Sequence, residues 1–271
     1  MRLVSLNAWA GQVWPAFSEW VPTIGADILC LQEVTRAPVP QPDWLVYADA
    51  ERRLNQRTDL FADVTRLLPD GYQGQFNPAN RGPLTDPDGK AYPSEFGLAM
   101  WVARPVAITE CLHRFVFGTY RHDGWGAAPV PRNIQVMRLF DPATQRPVIV
   151  AHLHGLRDPV GKGDTPDRAA QAQAIIAAIA AVCQPGDPVI LAGDLNLLPD
   201  SASFATFATI GLTDLVTTRG HTDTRTRHYT KPQRYADYLL VTEGVRVLDF
   251  SVPATPEVSD HRPLMLDFTL A

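Results

Sequence analysis

Cysteine is scarce in this sequence of 271 residues. Its three cysteines are scattered and odd in number, which excludes a disulfide framework, and no Cys or His cluster has the spacing of a zinc site. Reduced thiols in a cytoplasmic protein are the simplest interpretation, so we expect a cytoplasmic location.

Positive charge and long apolar runs are also lacking. Lys and Arg number 24 against 29 Asp and Glu, and the net charge of −5 argues against capture of long nucleic acid by bulk positive charge. No apolar run approaches the roughly 18 residues of a membrane span, and no signal peptide is evident. Neither a Walker-type phosphate loop nor a nucleophile elbow occurs. We expect no membrane span and no obligate protein partner.

Short apolar runs bounded by turn residues dominate the chain, which contains 24 prolines and 18 glycines. The clearest helical pattern covers residues 165–182, where Thr165 can cap the helix and Pro166 occupies its first position. No linker or internal repeat divides the chain, so we expect one domain over residues 1–271, of the α+β or layered α/β class. The pattern predicts strands at 2–6, 27–31, 97–102, 106–108, 134–140, 148–153, 189–192, 238–241 and 264–268, helices at 14–24, 59–68 and 165–182, and loops at 38–43, 77–94 and 118–131.

Polar side chains recur where the predicted strands begin or end, which is where an open sheet presents functional groups to a cleft. Carboxylates together with an asparagine suit a hard divalent cation such as Mg²⁺ or Mn²⁺. Imidazoles beside them would contact phosphate or move a proton. The residues concerned are Asn7, Glu33, His152, His154, Asp194, Asn196, Asp237, Asp260 and His261.

Each of these residues also has a purely structural interpretation when it is taken alone. Asn7 can close a turn, and Asp194 with Asn196 can form a turn and a helix cap. His154 matches no motif, so we expect it to satisfy local backbone groups. These structural interpretations weaken for the ordered set, because all of them would have to hold at once.

Five strings resemble the ordered motif set of the endonuclease/exonuclease/phosphatase superfamily. They are Ser-Leu-Asn at 5–7, Leu-Gln-Glu-Val at 31–34, Gly-Asp-Leu-Asn at 193–196, Ala-Asp-Tyr-Leu-Leu at 236–240 and Ser-Asp-His-Arg-Pro at 259–263. They occur in the family's order and span almost the whole chain. The resemblance implies an α+β four-layer sandwich, with two mixed β-sheets packed face to face and helices outside. It also implies hydrolysis of phosphate esters with a divalent cation, Mg²⁺ or Mn²⁺.

The resemblance further implies roles for the motif residues. Glu33 would be the main metal ligand, assisted by Asn7 and Asp260. Asp194 would position or deprotonate the attacking water, and Asn196 would hydrogen-bond the scissile phosphate.

Two histidines complete this implied site. His261 would contact the phosphate or transfer a proton, with Asp237 orienting its ring. His152 would bind a phosphate oxygen, and Glu95 would orient His152. Arg132 resembles a phosphate-contacting arginine.

The segment after His152 departs from the family pattern. A glycine-rich loop carrying Arg157 and Lys162 leads into a helix that carries Arg168 in its first turn. Backbone N–H groups, the helix dipole and these cations would together bind an anionic group, which makes the segment a candidate substrate-specificity loop. Solvated surface charge is the alternative interpretation of the same three residues.

Two other loops are second candidates for substrate contact. They are the Asn-Arg-Gly turn at 80–82 and the loop that contains Tyr120, Arg121, His122 and Trp125. Their aromatic and cationic side chains would stack a base or clamp a second phosphate, although Tyr120 and Trp125 would equally suit packing.

Three functions follow from this pattern. The first is a metal-dependent phosphodiesterase acting on nucleic acid or a nucleotide. The second is a hydrolase of a small-molecule, lipid or sugar phosphate, although no apolar membrane-docking hairpin favours a lipid. The third is an inactive binding protein on the same fold, which the intact set of motif residues argues against.

Overall fold

The computed structural model describes residues 1–49 and 52–271. Within these residues strands alternate with a few short helices. The strands are β1 (Arg2–Asn7), β2 (Ile28–Arg36), β3 (Trp44–Ala48), β4 (Arg53–Arg57), β5 (Tyr72–Thr85), β6 (Ala91–Ala103), β7 (Ala107–Phe117), β8 (Arg132–Asp141), β9 (Arg146–His154), β10 (Val189–Asp194), β11 (Thr213–Asp214), β12 (Asp237–Val241), β13 (Val245–Ser251) and β14 (Leu264–Leu270). The helices are α1 (Trp14–Trp20), α2 (Leu60–Leu67), α3 (Pro166–Ala180), α4 (Ser203–Ala208) and α5 (Leu215–Thr218).

The strands form two mixed sheets. The first sheet has the order β13-β14-β1-β2-β6-β5-β3-β4, and the second has the order β11-β12-β10-β9-β8-β7. Each sheet contains one parallel pair, β1 with β2 and β9 with β10, among antiparallel neighbours. The carboxyl ends of each parallel pair therefore lie at the same edge of their sheet.

Apolar side chains on both faces of the sheets build the layers. Helices α1 and α2 cover the outer face of the first sheet, where Phe17 and Val64 join a buried cluster with Trp101. A second cluster joins the inner face of the first sheet to the second sheet and to α3, through residues such as Ile28 and Ile179. The α+β four-layer sandwich is thereby confirmed.

The structure confirms the three predicted helices, with shorter bounds. Helix α3 begins after Thr165, whose hydroxyl accepts a hydrogen bond from the backbone N–H of Arg168 at 3.3 Å. Asp59 caps α2 in the same way, accepting from the N–H of Ala62 at 3.0 Å. Helix α1 ends at Trp20 and continues as a 3₁₀ turn, Val21–Thr23, that contains Pro22.

The nine predicted strands are also present, but the loop predicted at 77–94 is wrong. Those residues form most of the long β5–β6 hairpin, in which Pro83 pairs with Pro93. Strand β5 pairs with β3 only at Thr85, so along most of its length one edge has no strand partner and tolerates a missing N–H. Strands β3, β4, β5, β11 and β13 are absent from the prediction. The sequences of β4, β5 and β11 lack continuous apolar runs, whereas β3 does contain one, at 44–48 beside the predicted loop.

None of the described helices is both long and apolar enough to cross a membrane.

Candidate active site

Four strand ends and a bulge within β2 meet at one edge of the sandwich. Asn7 ends β1, His154 ends β9 and Asp194 ends β10. Strand β12 runs antiparallel to β10, so its first residue, Asp237, pairs with Asp194. Glu33 lies within β2, beside Asn7. The topology therefore gathers residues that are far apart in the sequence.

The Asn7 side chain links the two sheets at this edge. Asn7 is fully buried, and its Nδ2 donates to Glu33 Oε1 and to Asp194 Oδ2, both at 3.1 Å. Its Oδ1 accepts a hydrogen bond from the backbone N–H of Trp9 at 3.0 Å. One amide thus holds a carboxylate from each sheet in place.

Glu33 owes its direction to a bulge in β2. The register of β2 against β6 shifts between Leu31 and Val34, and Glu33 adopts a left-handed φ of 54°. Burial raises the pKa of Glu33, and the charge of Asp260 raises it further, against the hydrogen bond from Asn7. Non-glycine residues in this conformation are uncommon and often mark functional positions.

His261 and Asp237 form a buried pair. His261 Nδ1 lies 2.8 Å from both carboxylate oxygens of Asp237, and the hydroxyl of Thr224 donates to Asp237 Oδ2 at 2.8 Å. Burial alone would lower the pKa of His261, but the charges of Asp237 and Asp260 raise it above its ordinary value. Asp237 thereby fixes the ring orientation and favours a proton on Nδ1.

Asp194 lies at the centre of the site. Its Oδ2 is 3.6 Å from His261 Nε2 and 3.5 Å from His154 Nε2, and its Oδ1 accepts from the backbone N–H of Asn196 at 3.1 Å. Burial would raise the pKa of Asp194, but the charges of His261, His154, Arg225 and Lys162 hold it well below its usual range. Asn196 adopts a left-handed φ of 54°, which turns the chain immediately after Asp194.

In the structure His154 pairs with Asp194 across strands β9 and β10, whereas His152 pairs with Ala192. His154 Nε2 lies 3.5 Å from Asp194 Oδ2, a contact with a site carboxylate that the expected role of satisfying local backbone groups does not include. Burial and the charge of Arg132 lower the pKa of His154, against the charge of Asp194. His152 is 0% exposed, and neither ring nitrogen forms a hydrogen bond of normal geometry with a described residue.

Glu95 is not the partner of His152. Its carboxylate binds Arg36, with Oε2 2.7 Å from Nη2 and 2.8 Å from Nε. The predicted orienting role for Glu95 is therefore wrong, because the ion pair on neighbouring strands β2 and β6 satisfies the carboxylate.

The cations predicted to bind substrate fall into two groups. Arg132, Arg157 and Lys162 lie near the site carboxylates or histidines. Arg132 is buried, which lowers its pKa to about 10 against the charges of Glu33 and Asp194.

Arg157 is exposed and lies close enough to His154 to lower its pKa. Lys162 donates to the carbonyl of Tyr235; burial lowers its pKa, against the charge of Asp194.

Arg168 has a structural role, so the prediction that it contacts the substrate is corrected. It is 2% exposed and donates to the carbonyls of Asn196 and Gly161, each at 2.8 Å. Its side chain thus ties α3 to the turn that carries Asn196. A first-turn arginine in the sequence cannot reveal this, because its partners are main-chain carbonyls, which no residue type marks.

Sequence reasoning missed Arg225. Its Nη1 contacts Asp260 Oδ2 at 3.1 Å and also contacts His261 Nε2. The residue lies in the segment before β12, and no motif in the sequence marks it.

Comparison with known families decides the relationship. A model of the endonuclease/exonuclease/phosphatase family matches residues 4–261. The chain belongs to this family. As a member of the endonuclease/exonuclease/phosphatase family it is a phosphoric ester hydrolase, as the motif order predicted. A comparison with curated proteins found no match.

Solved structures of this family share the fold. A Bacteroides vulgatus endonuclease/exonuclease/phosphatase is 19% identical with a TM-score of 0.70, and the match covers 100% of this chain and 98% of the other. The human Nocturnin catalytic domain, solved with a bound sulfate anion, is 21% identical with a TM-score of 0.67 and coverage of 100% and 93%. A mannosyl-6-phosphatase from Bacteroides thetaiotaomicron is 17% identical with a TM-score of 0.68 and coverage of 100% of both chains.

The donor set fits the divalent cation that the endonuclease/exonuclease/phosphatase family implies. Glu33 is a half-buried carboxylate whose Oε1 accepts from Asn7 Nδ2, and the nearby charge of Asp260 destabilises its ionised form. Together with Asn7 these groups supply oxygen atoms, the ligands that Mg²⁺ and Mn²⁺ prefer. A cation there would relieve the repulsion between the two carboxylates.

A second set of potential ligands lies beside the first. Asp194, Asp237 and His261 each offer one ligand atom, and these atoms lie within 4.8 Å of one another. Binding a metal through His261 Nδ1 would break its hydrogen bonds to Asp237. A metal at Glu33, Asp260 and Asn7 would leave the His261–Asp237 hydrogen bonds intact, so we expect the metal at this set.

Proposed function

We propose that this chain hydrolyses a phosphodiester with a divalent cation and an activated water, on a nucleotide or nucleic acid substrate. One observation carries the proposal: Asp194 lies between the Asp237–His261 pair and the Asn7–Glu33 pair. Acid–base groups and metal-binding oxygens therefore face the same point, as phosphoester hydrolysis requires.

Glu33, Asp260 and Asn7 would hold Mg²⁺ or Mn²⁺. The bound cation would supply Lewis-acid neutralisation of charge on the phosphate oxygens. The Asn7 amide would keep Glu33 and Asp194 at a constant separation while the substrate enters.

Asp194 would orient the attacking water. Its Oδ2 already accepts from Asn7 and lies 3.5 and 3.6 Å from two imidazoles, so it is well placed as a hydrogen-bond acceptor. Asn196 would donate to a phosphate oxygen from the turn that follows. His261, with its Nδ1–H directed to Asp237 and its pKa raised by the nearby carboxylates, would donate to the phosphate through Nε2 as the imidazolium.

Arg132, Arg157 and Lys162 would hold the substrate. The charges of Arg132 and Lys162 act on Asp194, and Arg157 acts on His154. Lys162→Ala should therefore raise KM about tenfold or more while the fold is retained. Unchanged kinetics in that variant would remove the loop from the substrate site; Lys231→Ala, on an exposed turn, is the matched control.

A small phosphate ester is the second candidate substrate. Four cations, Arg132, Arg157, Lys162 and Arg225, gather at the site in a protein with a net charge of −5. This distribution favours a compact anion held locally. The similarity in fold to a mannosyl-6-phosphatase is compatible with such a substrate.

Hydrolysis of bis(p-nitrophenyl) phosphate with Mg²⁺ or Mn²⁺ tests the reaction. We expect activity in the wild type and loss of at least 10²-fold, on the order expected for removal of an acid–base group, in Asp194→Ala and His261→Ala. Activity that survives both substitutions would contradict the site. A broad panel of phosphate esters that all remain uncleaved would favour the inactive binding protein.

A salt series distinguishes the substrate classes. Affinity for a duplex falls steeply with salt, because a protein that binds several phosphates releases counterions. We expect KM for oligonucleotides to rise with salt if nucleic acid is the substrate. A flat response, with faster cleavage of free nucleotides or sugar phosphates, would identify a compact substrate.

A further inference from the structure

Arg225 occupies the catalytic edge without belonging to any motif. The residue is 5% exposed, and its guanidinium lies 4.1 Å from the centre of the Tyr229 ring. Its Nη1 donates to Asp260 Oδ2 at 3.1 Å and contacts His261 Nε2. The guanidinium thus faces the ring nitrogen that remains free after His261 binds Asp237.

The backbone around Arg225 is held firmly in this position. Arg225 forms an isolated antiparallel bridge with His261. On either side, the N–H of Thr226 donates to the carbonyl of Asp260 at 3.1 Å, and the N–H of Arg262 donates to the carbonyl of Thr224 at 2.9 Å. The segment before β12 is therefore paired directly with the motif that carries Asp260 and His261.

The guanidinium has more donors than the protein has acceptors for them. Arginine carries five N–H donors and no acceptor. Nη1 serves both Asp260 and His261, whereas Nε is buried and forms no hydrogen bond with any described residue. A buried donor without a partner is costly, so an orphaned N–H beside a reactive site points to a ligand that supplies the acceptor.

The contacts of the guanidinium identify the ligand chemistry. Arginine only donates, so His261 Nε2 accepts in this contact, and the same Nε2 lies 3.6 Å from Asp194 Oδ2 and 3.8 Å from Asp260 Oδ1. A tetrahedral oxyanion beside the guanidinium would receive hydrogen bonds from this planar group, which suits phosphate geometry.

We propose that Arg225 is a catalytic residue that donates hydrogen bonds to a non-bridging oxygen of the scissile phosphate. The proposal rests on the proposed function and adds a cation that the motif set does not include. In the absence of substrate, Asp260 and His261 hold the guanidinium; when substrate binds, a phosphate oxygen takes the place of the His261 contact.

Binding of inorganic phosphate tests the contact without turnover. We expect isothermal titration calorimetry in MgCl₂ to give a Kd that is at least about tenfold higher for Arg225→Ala than for the wild type, the loss of a hydrogen bond to a charged group. Arg225→Lys keeps the positive charge but loses the planar set of N–H donors, so its Kd should lie between those of Arg225→Ala and the wild type. Arg227→Ala is the matched control, because Arg227 lies in the same segment with its side chain 80% exposed.

The outcomes separate the contact from the overall function. Wild-type affinity in Arg225→Ala, or an equal loss in Arg227→Ala, would overturn the proposal while leaving phosphoester hydrolysis intact. A wild type that binds no phosphate and cleaves no ester would overturn the proposed function and the contact with it. If Arg225→Ala fails to fold by circular dichroism, the comparison of Arg225→Lys with the wild type decides in the same way.

Discussion

At the scale of single residues, hydrogen bonds determine which side chains can act. His261 is oriented by Asp237, and Asn7 holds Glu33 and Asp194 together. His152 lies on the same face of β9 as His154 but pairs with no described carboxylate, and the backbone of Leu31 lies beside its ring. Chemistry at this edge therefore depends on pairs rather than on individual motif residues.

Asp237→Asn should separate orientation from binding. The amide keeps the shape but can direct an N–H towards His261 Nδ1, which changes the tautomer of the ring. We expect kcat/KM for bis(p-nitrophenyl) phosphate to fall on the order of 10²- to 10⁴-fold with the melting temperature little changed. Asp267→Asn, in the partly exposed ion pair with Arg2, is the control and should retain activity. Full activity in Asp237→Asn would show that the pair is dispensable.

His152 makes stability depend on pH. Burial lowers the pKa of His152 to about 3 from an ordinary value of 6.5. Below pH 6.5 the unfolded chain binds a proton that the folded chain does not, so stability falls as the pH drops from 6.5 towards 3. This one group would cost roughly 2 kcal/mol between pH 7 and pH 5.

Urea unfolding with EDTA at pH 7 and pH 5 measures this effect. His152→Leu should lose less stability on acidification than the wild type, because the leucine has no proton to bind. His122→Leu, on an exposed loop, should retain the wild-type difference. Identical pH dependence in His152→Leu and the wild type would exclude His152 as the cause.

At the scale of elements, close contacts between strands set the geometry of the motifs. Gly193 precedes Asp194 with a φ of 143°, and a Cβ there would lie 2.0 Å from the carbonyl oxygen of Leu153. Strands β9 and β10 pair at these two residues. The glycine of the Gly-Asp-Leu-Asn string is therefore required for strand pairing rather than for chemistry.

Gly193→Ala should destabilise the fold strongly. The methyl group would push β9 from β10 and force alanine into a glycine conformation, at a cost of about 3 kcal/mol or more. Urea denaturation measures the loss. Gly163→Ala is the control, because no atom lies within 4 Å of its added Cβ, and it should change stability by less than about 0.5 kcal/mol. Equal stabilities of the two variants would contradict the packing argument.

At the scale of the whole molecule, the carboxylates gathered at the site lower the stability of the fold. Glu33 is ionised only against burial and the charge of Asp260. Any ligand that binds the folded chain alone adds stability by mass action. The two sheets therefore hold a cluster of carboxylates that a cation would stabilise.

Mg²⁺ should raise the melting temperature, and Glu33→Gln should abolish that rise. At a concentration of 100 times Kd the ion would add about 2.7 kcal/mol, a shift of several degrees for a domain of this size. In EDTA, Glu33→Gln should melt at or above the wild type, because the repulsion is removed. Glu257→Gln, in a surface ion pair with Arg227, is the control. A melting temperature that does not respond to Mg²⁺ or Mn²⁺ would contradict the metal assignment.

Sequence by itself determined much of this protein. Apolar runs predicted nine strands, and the cap at Thr165 predicted the start of α3. The order of the motifs predicted the family, the sandwich and the meeting of Asn7, Glu33 and Asp194. These features depend on local periodicity and on residue type, which a single chain displays directly.

Tertiary structure alone decided the rest. His152 and His154 share a face of β9, and only the register that sets His154 opposite Asp194 distinguishes them. In the sequence, Arg168 and Arg225 both resemble solvated surface charges. In the structure, Arg168 donates to main-chain carbonyls, whereas Arg225 contacts His261. Sequence patterns show which face a side chain occupies, whereas its partner depends on contacts that form only when distant strands pair.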